Sequence, residues 1–221
     1  MAQLVGDGEL ALSEVVANRT MNRERTLAGV NSYARELGFD PAERLRGHPG
    51  GWLDLCSGEG LALRAAAAAL PPGTALTGVD LVGPLGPVPP LPGLHLVTAS
   101  VAGWRPARSG FGLVTCVHGL PYLGDKLGLL ARWAGWPAPD GLLAVTFEPG
   151  SVRHADGSSA ARPVLAALRA AGFRYSSARR LLTLQGGREI PPAFEGFDYL
   201  GADPAAGPNW TGQPAVASYY G

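Results

Sequence analysis

Two cysteines, Cys56 and Cys116, are too few in 221 residues for a disulfide framework or a zinc site, and both read as buried structural thiols. An excess of charge is missing as well. Eighteen Lys and Arg face eighteen Asp and Glu, a formal net charge of zero. Phosphate-rich partners need a local surplus of cations, so this balance argues against nucleic acid. The short basic clusters "NRERT" and "ARR" read as solvated helix faces. No apolar run approaches the ~20 residues that span a bilayer, and the longest candidate, "AAAAALPP", is closed by Pro71 and Pro72. The first residues, "MAQLVGDGEL", lack the basic flank and apolar core of a signal peptide, so a cytoplasmic location is expected. The sequon "NWT" at 209–211 then carries no meaning.

What is present is a chain 46% hydrophobic and 16% charged, enough to bury a sizeable core, punctuated by 32 glycines and 20 prolines. Residues 20–38 space Leu27, Val30, Ala34 and Leu37 at three and four, which predicts a helix stopped by Gly38. "RGHPGG" at 46–51 reads as a linker. From Gly51 onward, short apolar runs alternate with helical stretches. The runs are "WLDLC", "ALTGVD", "LHLVTAS", "FGLVTCVHG" and "GLLAVTFEPG". The helices are "GLALRAAAAAL", "YLGDKLGLLARWAGW" and "SAARPVLAALRAAG", while a Pro/Gly-rich loop stands between the second and third strands. Two further strands in the tail, "RRLLTLQGG" and "AFEGFDYLGA", have no helix between them and predict a closing hairpin. The pattern implies an α/β fold with a doubly wound, mostly parallel seven-stranded sheet, an N-terminal helical cap and an antiparallel C-terminal strand. A single domain is expected: a cap at 1–49, a core at 50–184, and a C-terminal strand and tail at 185–221.

In such sheets ligands bind beyond the carboxyl ends of the strands. That filter selects Asp54 to Gly60, Asp80, Ser100 with Val101, His118 and Glu148. "DLCSGEG" sets Gly58 and Gly60 before a helix, where backbone approaches a ligand closely and free N–H groups favour an anion. Asp80, 26 residues after Asp54, suits a bidentate hydrogen bond to a ribose, and "LVGP" after it offers no helix to cap.

Together these residues resemble the class I S-adenosylmethionine-dependent methyltransferases. The acid-x-Gly-x-Gly-x-Gly motif of that family stands here as Asp54-Leu55-Cys56-Ser57-Gly58-Glu59-Gly60, with Cys56 in the place of the first glycine. The resemblance covers residues 50–184 and implies S-adenosylmethionine as cofactor, with S-adenosylhomocysteine as product. It places the methionine carboxylate near Gly58, with Asp54, Cys56, Ser57 and Gly60 around it. The ribose falls on Asp80 beside Leu81, and the adenine near Ser100 and Val101, where a serine replaces the usual aspartate. A nicotinamide-binding Rossmann enzyme is the rival within the fold, but its third glycine falls on Leu63.

In-line methyl transfer demands alignment and exclusion of water, and a base where the nucleophile carries a proton. His118 in "CVHGLPYL" is the histidine at a strand's carboxyl end, and is expected either as that base or packed beside the cofactor. His48, His95 and His154 read as linker or strand-edge residues. Asn31, Tyr33, Tyr122 and Glu148 are the candidate acceptor contacts. The N-terminal segment, with Asn22, Arg23, Arg25, Asn31 and Tyr33, reads as a lid or as a helix packed on the sheet edge. Trp210, Tyr219 and Tyr220 either line the acceptor site or anchor the tail. The Asn/Asp-Pro-Pro-Tyr/Phe motif of nucleobase methylation is absent, which argues against DNA. The expected acceptor is therefore a small molecule, methylated on O, N or S, without a metal and in a monomer or homodimer. RNA or protein methylation, and cofactor binding without catalysis, are the alternatives.

Overall fold

The computed structural model describes residues 2–16, 24–87, 89–191, 194 and 196–221. Its centre is a seven-stranded sheet. β1 (Trp52–Leu55), β2 (Leu76–Asp80), β3 (Leu94–Thr98), β4 (Phe111–Cys116) and β5 (Pro137–Thr146) run parallel, and β7 (Arg174–Ser176) and β8 (Leu181–Gln185) complete it. The order is β3-β2-β1-β4-β5-β8-β7, with β8 antiparallel to both neighbours. This is the architecture expected from the sequence, and strand order reverses between β1 and β4.

Alternation along the strands sorts side chains to the two faces. Leu53, Leu55, Val114, Cys116 and Val145 point to one face, under α5 (Lys126–Trp133) and α6 (Ala161–Ala170). Trp52, Leu113 and Ala144 point to the other, under α2 (Tyr33–Leu37), α3 (Pro41–Leu45) and α4 (Leu61–Ala69). The same period sets Asp54 beside Thr115 in register, on the face that carries Trp52. Asp54 and Thr115 are thus polar residues placed by strand geometry inside a dry layer.

Three expectations are corrected. The helix predicted over 20–38 is, among the described residues, only the five residues of α2; Asn22 and Arg23 lie outside the described residues. Gly29 takes a positive φ of 110° and the Ser32 side chain caps α2 by accepting from the Arg35 N–H. Val30, expected on the buried face, is 82% exposed. Gly38 does end the helix, in the left-handed region. The tail strands form no hairpin with each other: β8 pairs with β7, and β9 (Tyr199–Asp203) joins a second sheet of order β6-β10-β9. β6 (Val152–His154) and β10 (Ala217–Tyr220), both unpredicted, supply the rest of that sheet. A short helix, α1 (Asp7–Leu10), packs on β9.

Lys126, the chain's only lysine, ties the end of the chain to α5. Its Nζ is buried and donates to the carbonyls of Leu123 and Val216 and to Ser218 Oγ, at 2.8–2.9 Å. Burial pulls its pKa down to about 7, against the opposing charges of Asp7, Glu148 and Asp125. No helix among the described residues is long and apolar enough to cross a membrane.

Candidate active site

At the carboxyl ends of β1, β2, β3 and β4 lies a cavity of about 450 Å³. Its floor is the turn after β1. Cys56 stands at φ 58°, in the left-handed region, where the backbone turn requires what a glycine adopts freely. Gly58 donates its N–H to Asp80 Oδ2 at 2.9 Å, and Asp80 Oδ1 accepts from the Val82 N–H at 3.0 Å. One carboxylate thereby binds the glycine turn to the end of β2. Gly60 follows at φ 68° as the residue before α4, and a Cβ there would stand 2.8 Å from Leu96.

Of the expected cofactor residues, Cys56, Ser57, Gly58, Asp80, Leu81, Ser100, Val101 and His118 all line this cavity. Asp54 and Gly60 do not. Asp54 lies beneath the floor, 1% exposed, with Oδ2 accepting from the Tyr33 hydroxyl at 2.6 Å and Oδ1 from Thr115 Oγ1 at 2.5 Å. Trp52 Nε1 extends the chain to Thr115 Oγ1 at 2.7 Å. Burial pushes the Asp54 carboxyl up to about 7 despite the two hydroxyl donors. The same burial, with Asp54 beside it, holds the Tyr33 phenol well above its ordinary range.

His118 sits just past β4 at φ 61°, a left-handed position that costs a non-glycine residue of order 1 kcal/mol or more. Its N–H donates to Thr146 Oγ1 at 2.6 Å, and its ring lies 5.3 Å from that of Trp210. The Arg180 guanidinium carbon lies over the Trp210 ring, 5.5 Å from its centroid. His118 Nε2 is 3.0 Å from Glu36 Oε2 on α2. The His118 ring 3.0 Å away holds the Glu36 carboxyl below its usual range, with burial opposing and Arg25 and Arg35 assisting. Arg25 reaches Glu36 Oε1 at 3.6 Å and Asn31 Oδ1 at 2.6 Å.

Among the expected acceptor contacts, Tyr33 and Tyr122 line the cavity, whereas Asn31 and Glu148 do not. Asn31 instead holds Arg25, which does line it. Tyr122 has its phenol raised by burial, offset by a hydrogen bond to Asn209. Further wall comes from Asp7, Leu10, Ala11 and Val16 of the N-terminal segment, Leu123 and Gly124, and Thr211 and Gln213 of the tail. Trp210 packs on His118, while Tyr220 is buried and donates to Asp125 Oδ1.

Cys56 and Cys116 adjoin at the floor. A Cβ on Gly119 would stand 2.6 Å from one sulfur and 2.9 Å from the other. The hydrogen bond to Cys116, together with burial, raises the Cys56 thiol well above its ordinary range, which keeps it a thiol. No group of three or more His, Cys, Asp or Glu suited to a metal ion occurs among the described residues.

No protein-family model and no curated protein sequence matches the chain. Solved structures that match part of the chain include methyltransferases. The plantazolicin methyltransferase BpumL, in complex with SAH, is 12% identical at a TM-score of 0.40, over 47% of this chain and 42% of that one. CalS10 of Micromonospora echinaspora, an amino pentose methyltransferase bound to SAM, is 23% identical at 0.39, over 54% and 55%. DesVI of Streptomyces venezuelae is 22% identical at 0.37, over 53% and 55%. The match spans about half the length of each of these proteins.

Sequence reasoning missed Glu36 and Asp7. Glu36 carries the signal of being three residues after Tyr33, on the same face of a helix, but its partner lies 82 positions away.

Proposed function

We propose that this protein binds S-adenosylmethionine on the floor of the cavity and moves its methyl group to an O, N or S nucleophile of a small molecule. The observation that carries the reading is convergence: the glycine turn after β1, Asp80 after β2, Ser100 and Val101 after β3 and His118 after β4 all face one cavity. Its volume lies within the roughly 300–1,000 Å³ of small-molecule and cofactor sites.

When bound, the sulfonium cofactor supplies an already activated methyl group. The protein's own task is to hold, align and exclude water. Asp80 offers its carboxylate to the ribose while fixing the turn, and the turn's backbone faces the amino-acid end. Ser100 and the Val101 N–H border the adenine. His118 accepts the proton of a hydroxyl, amine or thiol acceptor, which contributes about 10²–10⁴-fold where the nucleophile is protonated. The acceptor lies against Leu10, Ala11, Tyr122 and Leu123, under a segment fixed from below by the Tyr33–Asp54 bond. A small acceptor is supported by the balanced charge and by a cavity of this size whose wall mixes polar and apolar groups.

Incubation with methyl-labelled S-adenosylmethionine and fractionated cell extract tests the acceptor. Label in a small extractable molecule is expected. Label confined to RNA or protein would replace the acceptor class, and no transfer by a cofactor-binding chain would make it a binding protein.

A further inference from the structure

We propose that Glu36 is a positioning residue for His118: it fixes the ring's proton on Nε2 and leaves Nδ1 as the atom that accepts a proton. The inference rests on His118 serving as the base. A neutral imidazole carries one N–H, and an ionised carboxylate only accepts, so the nitrogen facing Glu36 is the protonated one. Nε2 is fully buried and makes no aligned hydrogen bond, but Glu36 Oε2 stands 3.0 Å from it, a separation at which a carboxylate oxygen repels a bare nitrogen lone pair and favours an N–H. The rest of the residue is held independently: its main-chain N–H donates to Thr146 Oγ1 and its ring packs against Trp210.

Glu36 is held in its turn. Oε1 faces Arg25 at 3.6 Å, and Arg25 is oriented by Asn31 Oδ1 at 2.6 Å. The two glutamate oxygens thus divide between a permanent cation and the imidazole, and the carboxyl's lowered pKa keeps it an acceptor at neutral pH. Three residues before Glu36 on the same face of α2, Tyr33 is bonded to the buried Asp54 under the cavity floor. The N-terminal segment thereby does more than cover the site. It delivers the group that sets the tautomer of the base, as outer partners of histidine do in metal sites.

The test is nitrogen-15 NMR of histidine-labelled protein bound to S-adenosylhomocysteine. Only four histidines are present, and His118→Gln identifies the signals of interest. The expected result, read at a pH where the ring carries one proton, is a single tautomer, Nε2–H. In Glu36→Ala and in the isosteric Glu36→Gln the single tautomer gives way to an exchanging mixture. With an acceptor in hand, kcat falls about tenfold or more in Glu36→Ala while KM for S-adenosylmethionine holds, and Glu36→Asp recovers part of the loss. A wild-type proton on Nδ1, or an unchanged tautomer in both variants, overturns the positioning role. Unchanged turnover in His118→Gln overturns instead the base reading beneath it, and the two failures are read from separate measurements.

Discussion

Asp54 gives the sharpest test of the layer beneath the site. Its carboxyl is 1% exposed and accepts from the Tyr33 and Thr115 hydroxyls, and burial raises it from 3.8 to about 7 against those bonds and the Arg25 charge. In the unfolded chain the same group titrates near 3.9. Between about pH 4 and pH 7 the native state therefore holds a proton that the unfolded state has released. Stability from this group is present in full at the acid end and is lost as pH rises through 7. A rise of about three pH units, at 1.36 kcal/mol each, amounts to about 4 kcal/mol. Asp54→Asn keeps the shape and removes the titration. Urea denaturation of both proteins from pH 4.5 to 8 should show the wild type losing stability relative to Asp54→Asn by up to about that amount as pH rises. The reasoning fails if the difference between the two is flat with pH, or if the wild type gains relative stability on going to pH 8.

Further consequences concern the floor and the clasp of the tail. Gly119→Ala would set a Cβ 2.4 Å from Cys56 Cβ, and overpacking of that kind costs about 2 kcal/mol. Adding Cys56→Gly, at a position already left-handed, should return at least half of it; a neutral single variant, or no recovery in the double, contradicts the packing described. Lys126→Met removes the donor to two buried carbonyls and to Ser218 Oγ and should lower stability by about 3 kcal/mol in a denaturant melt; a change under about 1 kcal/mol would show that the ammonium is not the clasp. Amine-reactive acylation at pH 8 should leave Lys126 unmodified in the folded protein and modify it in urea, as read by peptide mass.

The parts of the fold and site legible in the sequence are those with a local signal. β1, β2, β4 and β5 are near-continuous apolar runs, and the polar or small residues that end them fall at strand ends because both faces of the sheet must be dry. That is why Ser57, Gly58, Asp80 and His118 are legible together, while Ser100 and Val101 follow the half-exposed β3 and are marked only by where its run ends. Asp54 was found for its motif, but its place below the floor depends on Tyr33 arriving from 21 residues upstream. The N-terminal segment misled because Leu27, Val30, Ala34 and Leu37 keep helical spacing across Gly29 and Ser32, which start a new element instead. The second sheet was invisible for a different reason: β6 has three residues and β10 four, and neither is long enough to show a period. Glu36 was missed since a pairing across 82 positions leaves no trace in local pattern.

The central claim is that the cavity holds the methyl donor, and titration calorimetry with S-adenosylhomocysteine tests it most directly. Saturable binding at one site per chain is expected, weakened at least tenfold by Asp80→Ala in a protein that still melts cooperatively. No heat of binding at millimolar ligand, or equal affinity in the folded Asp80→Ala variant, would contradict it.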